Sequence, residues 1–403
     1  MKKILIFSLN YYPRFIGGAE VAIKEITDRI VPEEFEFHLL TLRFDSSLPV
    51  FEKIGNVHVH RMGFSKKNPS IAQLRQFPLH INKYWYQFFA PYRAHSLHKK
   101  YHFDAVWAMM AHSTGIPAGT FKLRNPDVPY LLTLQEGDPP EQIERMMKPV
   151  WKQFVQAFEK ADALQAISTF LLSWGKKMGF TGTGVVIPNG VDTALFVKVN
   201  EEGVMSKSQK MLKKNKGEIS LVTTSRLVHK NGIDDVIRAL PLLPSNIIFY
   251  IYGIGPQEQK LRSLAKVLGV EDRTHFMGEV THAELPNILQ AGDIFIRPSR
   301  SEGMGNSFIE AMAVGLPVIA TQEGGIADFL FDARLNPTTP TTGWAVQKNS
   351  PEDIARGVKE VLANPVQVSE ATKNALKLVS QQYDWNSIAQ RMRELFATLT
   401  KAS

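Results

Sequence analysis

The chain has 403 residues, 44% of them hydrophobic and 21% charged, with no cysteine and a formal charge of +8. Such a length predicts two domains of roughly 150–200 residues each, and the missing cysteines exclude disulfides and thiolate metal sites, which fits a reducing compartment. No apolar run nears the roughly 20 residues that span a bilayer, and no nucleic-acid module signature appears, so the expectation is a cytoplasmic globular protein, free or at the inner face of the membrane, whose basic excess is a solvated surface or meets a phosphorylated ligand or anionic lipid.

The opening MKKILIFSL has an apolar run too short for a signal peptide and is read as a strand over 2–9. The loop NYYPRFIGG then leads into a helix over 19–30. Gly17 and Gly18 sit at this strand-to-helix junction, where amides are unpaired and no Cβ bars a phosphate or sugar; a plain turn is the alternative. Strands follow over 35–42 and 56–62, then a long mixed segment, 65–103. Strands over 104–110, 130–135, 162–167 and 184–187 alternate with helices, including 141–160 and 168–178. That alternation predicts an α/β fold with a parallel sheet covered on both faces. Ligands of such sheets collect beyond the carboxyl ends of the strands. His112 lies just past strand 104–110 and so belongs to that edge, although most histidines there are ordinary loop residues.

The segment 65–103 carries Lys66, Lys67, Arg75, Lys83, Arg93, Lys99 and Lys100 among Trp85, Tyr86, Phe88, Phe89 and Tyr92, with no acidic residue. Two readings stand. Trp85, Phe88 and Phe89 have the spacing of a core helix face. Alternatively, the basic and aromatic side chains make peripheral contact with an anionic membrane. Pro69, Pro78 and Pro91 argue against one continuous helix.

Pro188-Asn189-Gly190 predicts a turn between domains. Beyond Phe196 the chain becomes polar and basic, so the first domain is set at 1–196 and the second at 197–383, with a helix over 384–403 closing the chain. The second domain starts with strand 219–225. Arg226 and Lys230 follow on the next turn, where two cations can clamp a diphosphate or form a solvated basic turn. Strand 246–252 leads to the Gly-rich turn YGIGPQ. Helix 256–269, strand 273–277, helix 282–290 and strand 292–297 come next.

Residues 297–321 read RPSRSEGMGNSFIEAMAVGLPVIAT. Gly303 and Gly305 free the backbone for close approach to a ligand. Ser307, with Glu310 three residues on, has capping-box spacing. Phe308, Ile309, Met312 and Ala313 form an apolar helix face, and Gly315 ends it. Loop amides and a helix N-terminus then point at one spot. The loop Glu323-Gly324-Gly325 follows, then helices near 351–363 and 366–380. The last segment puts Trp385, Ile388, Met392, Leu395 and Phe396 on one helical side.

Glu302 and Glu310 in this run resemble the glutamate-x7-glutamate motif of retaining glycosyltransferases with the GT-B fold, the glycosyl transferases group 1, which include glycogen synthase and phosphatidylinositol mannosyltransferase. The matches cover nearly the whole chain: NYYPRFIGG, AHS, VIPNGVD, SRLVHKNG and the final helix are similar to that family's segments. The resemblance implies two Rossmann-like domains facing each other across a donor-binding cleft, with the last helix returning to the first domain. It implies a nucleoside-diphosphate sugar, UDP- or GDP-linked, as donor substrate and a saccharide or lipid-linked acceptor. Arg226, Lys230 and the amides of Gly17 and Gly18 would hold the diphosphate. Glu310 would bind the ribose, and backbone near Val280 the base. Glu302, Gly303, Met304, Gly305, Asn306 and Ser307 would hold the sugar, which His112 touches. Many members space the two cations one residue further apart than Arg226 and Lys230 stand here. No Asp-x-Asp is present for a metal–diphosphate bridge, so no metal and no cofactor are expected. A nucleotide-sugar epimerase on the same fold is the alternative reaction, and a non-catalytic scaffold the alternative role. A dehydrogenase would need the G-x-G-x-x-G fingerprint, which neither domain carries.

Overall fold

The computed structural model describes residues 1–70, 72–197, 215 and 217–401. The polar, basic run after Phe196 therefore lies almost wholly outside the described residues. The chain forms two compact units, Met1–Asn189 with Trp385–Ser403, and Gly190–Asp384. Phe196, where the composition changes, belongs to the second unit. That ring is buried and lies 5.3 Å from the His282 ring of the second unit.

The first unit is built on β1 (Lys2–Phe7), β2 (Phe35–Leu42), β3 (Phe51–Ile54), β4 (Val57–Met62), β5 (Ala105–Met109), β6 (Tyr130–Leu134), β7 (Ala163–Ala166) and β8 (Gly184–Val186), in the order β3-β4-β2-β1-β5-β6-β7-β8. All pairs are parallel except β3 with β4. Ile4 through Phe7 are buried without interruption, as a strand covered on both faces requires. The edge strand β3 was not anticipated, because its four residues lie half in solvent and carry no apolar run. The expected helix 141–160 is two, Pro140–Met147 and Trp151–Glu159, separated by a 3₁₀ turn at Lys148–Val150. Pro149, which cannot donate into a helix ladder, sits at the break.

The helix Trp385–Lys401 packs within the first unit. Its Phe396 ring lies 5.1 Å from Trp107 on β5 and 5.9 Å from both Phe35 and Phe37 on β2. Trp385, Ile388 and Met392 join the same core.

The second unit is built on β9 (Ile219–Thr224), β10 (Ile247–Tyr252), β11 (Thr274–Gly278), β12 (Ile294–Arg297), β13 (Val318–Ala320) and β14 (Trp344–Ala345), all parallel, in the order β11-β10-β9-β12-β13-β14. By chain order within the unit this is 3-2-1-4-5-6, the doubly wound dinucleotide-binding order. The strand order reverses at β9 and β12 here, and at β1 and β5 in the first unit. Beyond the carboxyl ends of those strands lie the crevices where ligands of such sheets bind.

Segment 65–103 is not one helix, as its prolines lead one to expect, but Pro91 does not break it and the expected core face is not the buried one. Helix Asn82–Tyr101 runs unbroken through Pro91. Its buried face is Tyr86, Ala90, Pro91, Ala94 and Leu97, and the Tyr86 hydroxyl donates to the Leu40 carbonyl at 2.7 Å. Phe88 and Phe89 are not core: they are 67% and 49% exposed, beside Tyr84 and Tyr92 at 70% and 59%. Trp85 stacks on Phe89 at 4.8 Å.

A histidine cluster joins β2 to β4. His38 Nδ1 lies 3.0 Å from His60 Nε2, and His38 Nε2 lies 2.6 Å from Glu36 Oε1. Burial lowers the pKa of both rings, that of His60 to about 3. The unfolded chain, with histidines near 6.5, binds more protons below that pH. The cluster's stability is thus complete above pH 6.5 and falls as pH drops from 6.5 towards about 3. We expect urea midpoints at pH 7, 6 and 5 to show a loss on the order of 1 kcal/mol per pH unit below 6.5. His60→Phe should flatten the curve; an unchanged slope would reject the buried neutral cluster as its origin.

Candidate active site

Strand β12 ends at Arg297, which the sequence reading passed over and around which the loop 298–306 is built. The side chain is buried, so its charge must be met locally. Nη2 donates to Glu302 Oε2 at 2.9 Å, and Nη1 to Ser307 Oγ at 2.7 Å and to the Thr224 carbonyl of β9 at 3.3 Å. The guanidinium also lies 4.2 Å from the Phe308 ring centre. Burial lowers the Arg297 pKa, against the pull of Glu302 and Glu310. Glu302 is thereby fixed by a neighbour that no motif had singled out.

The capping box expected at Ser307 and Glu310 does not form. The helix runs Asn306–Ala313 with Gly305 at its N-cap and no side-chain cap bond. Ser307 is inside the helix and turns its hydroxyl to Arg297, so Glu310 is no capping residue. Its Oε1 lies 3.6 Å from His282 Nε2. The helix ends as read: the Gly315 amide donates to Met312 and the Leu316 amide to Ala311, a Schellman close. Two glycines here are obligatory. Gly305 has φ of +91°, and a Cβ on it would stand 2.8 Å from Arg297 Nη2. Gly324, after β13, has φ of +62°, and a Cβ there would stand 2.1 Å from the Glu302 carbonyl, to which the Gly325 amide donates at 3.0 Å. Met304 is buried, anchoring the loop between Gly303 and Gly305.

Arg226 follows β9 and is exposed, and among the described residues its side chain makes no ion pair. Lys230 lies one short turn on, in His229–Asn231. The two loops are tied together by a second unanticipated arginine. Arg300 donates its amide to the Lys230 carbonyl at 2.6 Å and its guanidinium to Asp234 at 2.8 Å and Asp235 at 2.6 Å. Arg300 is thus neutralised in place, whereas Arg226 is not. Val280 lies two residues past β11 and is partly exposed.

In the first unit, the loops after β1 and β5 line the crevice, and the loop after the neighbouring β6 lies beside them. Helix Gly18–Asp28 starts at Gly17, whose amide donates to Glu20 Oε2 at 2.7 Å. That carboxylate already caps an amide assigned to a diphosphate, a feature the sequence reading missed. His112 stands in one π-helical turn, Ala111–Gly115, after β5. Its Nδ1 lies 3.4 Å from Glu136 Oε1 and its Nε2 3.1 Å from Ser113 Oγ. Glu136, just past β6, is 1% exposed. The signal for it was available as an acidic residue directly after an apolar strand, in TLQEGDPP. Among the described residues, no group of histidine and carboxylate side chains could hold a metal ion.

Residues 204–395 match the family described as Glycosyl transferases group 1, and residues 16–195 that described as Glycosyltransferase Family 4. The chain thus carries a group 1 glycosyltransferase domain over residues 204–395. Among the relatives of this glycosyltransferase are a phosphatidylinositol N-acetylglucosaminyltransferase component of Arabidopsis thaliana, 26% identical over 54% of this chain and 44% of that one, and the GDP-mannose-dependent monoacylated alpha-(1-6)-phosphatidylinositol monomannoside mannosyltransferase of Corynebacterium glutamicum, 28% identical over 59% of this chain and 62% of that one. This glycosyltransferase matches less than half the length of the plant protein and less than two thirds of the bacterial enzyme. Its fold is that of sucrose-phosphate synthase from Thermosynechococcus elongatus, with a TM-score of 0.81, 19% identity and all of both chains covered. Anabaena HepE in complex with UDP-glucose aligns at a TM-score of 0.74 and 20% identity, over 99% of this chain and 100% of that one. The GT-B architecture expected from the motifs is therefore the architecture of this glycosyltransferase.

Proposed function

We propose that this glycosyltransferase moves a hexosyl group from a UDP- or GDP-sugar to a saccharide or lipid-linked acceptor, with retention at the anomeric carbon and without a metal ion. The observation that carries the reading is the second unit's crevice: an exposed guanidinium at Arg226 with no ion pair among the described residues, and Glu302 locked by Arg297 on a loop that closes over glycines. Arg226 and Lys230 hold the diphosphate. Gly18 and, once Glu20 yields its amide, Gly17 add donors to it. Glu310 takes the ribose hydroxyls and backbone near Val280 the base. Glu302 and the amides of Gly303, Met304, Gly305, Asn306 and Ser307 hold the sugar, and His112 contacts it. No second carboxylate placed as a nucleophile is needed, because the leaving phosphate oxygen accepts the acceptor's proton. Positioning and charge stabilisation supply the rate. The names of the relatives, which include GDP-mannose-dependent and UDP-sugar-bound proteins, support either nucleotide.

Thermal shifts with UDP, GDP, ADP and their sugars test the donor, since a ligand bound only by the folded state raises its melting temperature. The anomeric configuration of the product, read by NMR, tests retention, and full turnover in EDTA tests metal independence. No shift with any nucleotide would overturn the reading.

Membrane contact is part of the proposal. Among the described residues no helix is long and apolar enough to cross a membrane. Phe77, Tyr84, Phe88, Phe89 and Tyr92 nevertheless stand in solvent, beside exposed Lys66, Lys67, Arg75, Lys83 and Arg93. Each cation near an anionic surface contributes about 1 kcal/mol, and aromatic rings favour the headgroup zone. We expect co-sedimentation with phosphatidylglycerol vesicles at low salt, lost at high salt and weakened in Phe77→Ser/Phe88→Ser. Equal, negligible sedimentation with anionic and neutral vesicles at low salt would remove the membrane and favour a freely diffusing acceptor.

A further inference from the structure

The first unit holds a buried carboxylate that the donor reading leaves unused. Glu136 is 1% exposed, and its Oε1 lies 3.4 Å from His112 Nδ1. Its Oε2 is buried as well and has no hydrogen-bond partner among the described residues. A desolvated carboxylate oxygen left unmatched is costly, and proteins keep such groups chiefly where a ligand completes them. Its position is that of a ligand contact: His112 follows β5, where the strand order reverses, and Glu136 follows the neighbouring β6 at the same carboxyl edge. The Gln87 side chain, 2.7 Å from the Ser113 carbonyl, holds the same turn from helix Asn82–Tyr101, and its own Oε1 is buried without a partner among the described residues.

We propose that Glu136 has two tasks. Through Oε1 it holds the proton of His112 on Nδ1, so that Nε2 accepts from the Ser113 hydroxyl 3.1 Å away. Through Oε2 it accepts a hydrogen bond from a hydroxyl of the sugar substrate. The first task makes it a positioning residue for His112; the second makes it a substrate contact. A bond to a charged acceptor inside a crevice strengthens when the substrate excludes water. The inference rests on the glycosyl-transfer reading above, but its first task can be measured without turnover.

Two variants decide it. Glu136→Gln keeps the shape and removes the charge. With UDP-glucose and GDP-mannose as donors, it should lower kcat/KM about 10–100-fold, while its melting temperature stays level or rises, because a buried charge is gone. A merely structural Glu136 would instead lower the melting temperature. Glu136→Leu removes the acceptor, and ¹⁵N-histidine spectra at one pH should move His112 from the Nδ1–H to the Nε2–H tautomer. An Nε2–H tautomer in the wild type, or kcat/KM within twofold in Glu136→Gln, overturns the assignment. If the wild type transfers sugar from neither donor, the glycosyl-transfer reading fails on those donors, while the tautomer spectra still decide the pairing with His112.

Discussion

Replacing Arg226 with alanine is expected to lower sugar transfer about 10²–10³-fold, the range seen when an enzyme loses one preorganised donor to a developing oxyanion. The loss should be similar for every donor accepted, because the diphosphate is common to all. The physical ground is the contrast between two neighbouring arginines. Arg300 is neutralised by Asp234 and Asp235 and ties two loops together. Arg226 leaves β9 into solvent, with no counter-ion among the described residues. Its charge therefore adds little to the free fold and is available to a ligand. Arg226→Ala should keep the wild-type melting temperature, and Arg226→Lys should recover only part of the rate, since an ammonium lacks the planar fork. Steady-state rates with saturating acceptor check this; near-normal turnover in Arg226→Ala would remove it from the diphosphate site.

Arg297→Leu is expected to destabilise the second unit by about 3–5 kcal/mol, the usual cost of stranding one member of a buried ion pair. Glu302 would lose its partner at 2.9 Å, and Ser307 and the Thr224 carbonyl would lose theirs. Arg297→Leu/Glu302→Gln should regain much of that stability, because no charge is then left buried alone, yet should transfer no better than the single variant. Urea denaturation of the three proteins with parallel rate assays separates the two effects. A loss under about 1 kcal/mol in the single variant would show that water reaches Glu302 freely.

The strand–helix alternation was legible because each strand is a short apolar run bounded by turn residues, and the parallel sheets bury those runs on both faces. The loop 302–306 was legible from its glycines. What escaped was carried by pairs distant in sequence. Arg297 reads as the polar end of a strand, and only the fold shows that it faces Glu302 and Ser307. Arg300 reads as a surface cation, and its acidic partners lie on helix Ile233–Ala239 after β9. Ser307 and Glu310 have ideal capping spacing, but the left-handed Gly305 starts the helix earlier, and Arg297 claims the hydroxyl. On helix Asn82–Tyr101 the periodicity of Trp85, Phe88 and Phe89 is real, but the face made by Tyr86, Ala90, Ala94 and Leu97 took the core.

The route of the chain through the units has a consequence for synthesis. The strand core of the first unit is made early, yet Trp385, Ile388, Met392 and Phe396 reach it only after the whole second unit has been translated. At roughly 5–20 residues per second, that interval is on the order of 10–40 s. Throughout it, Phe35, Phe37 and Trp107 lack the helix that covers them in the finished protein. Until the last helix arrives, the emerging first unit exposes an apolar sheet face of the kind that makes folding intermediates prone to aggregate.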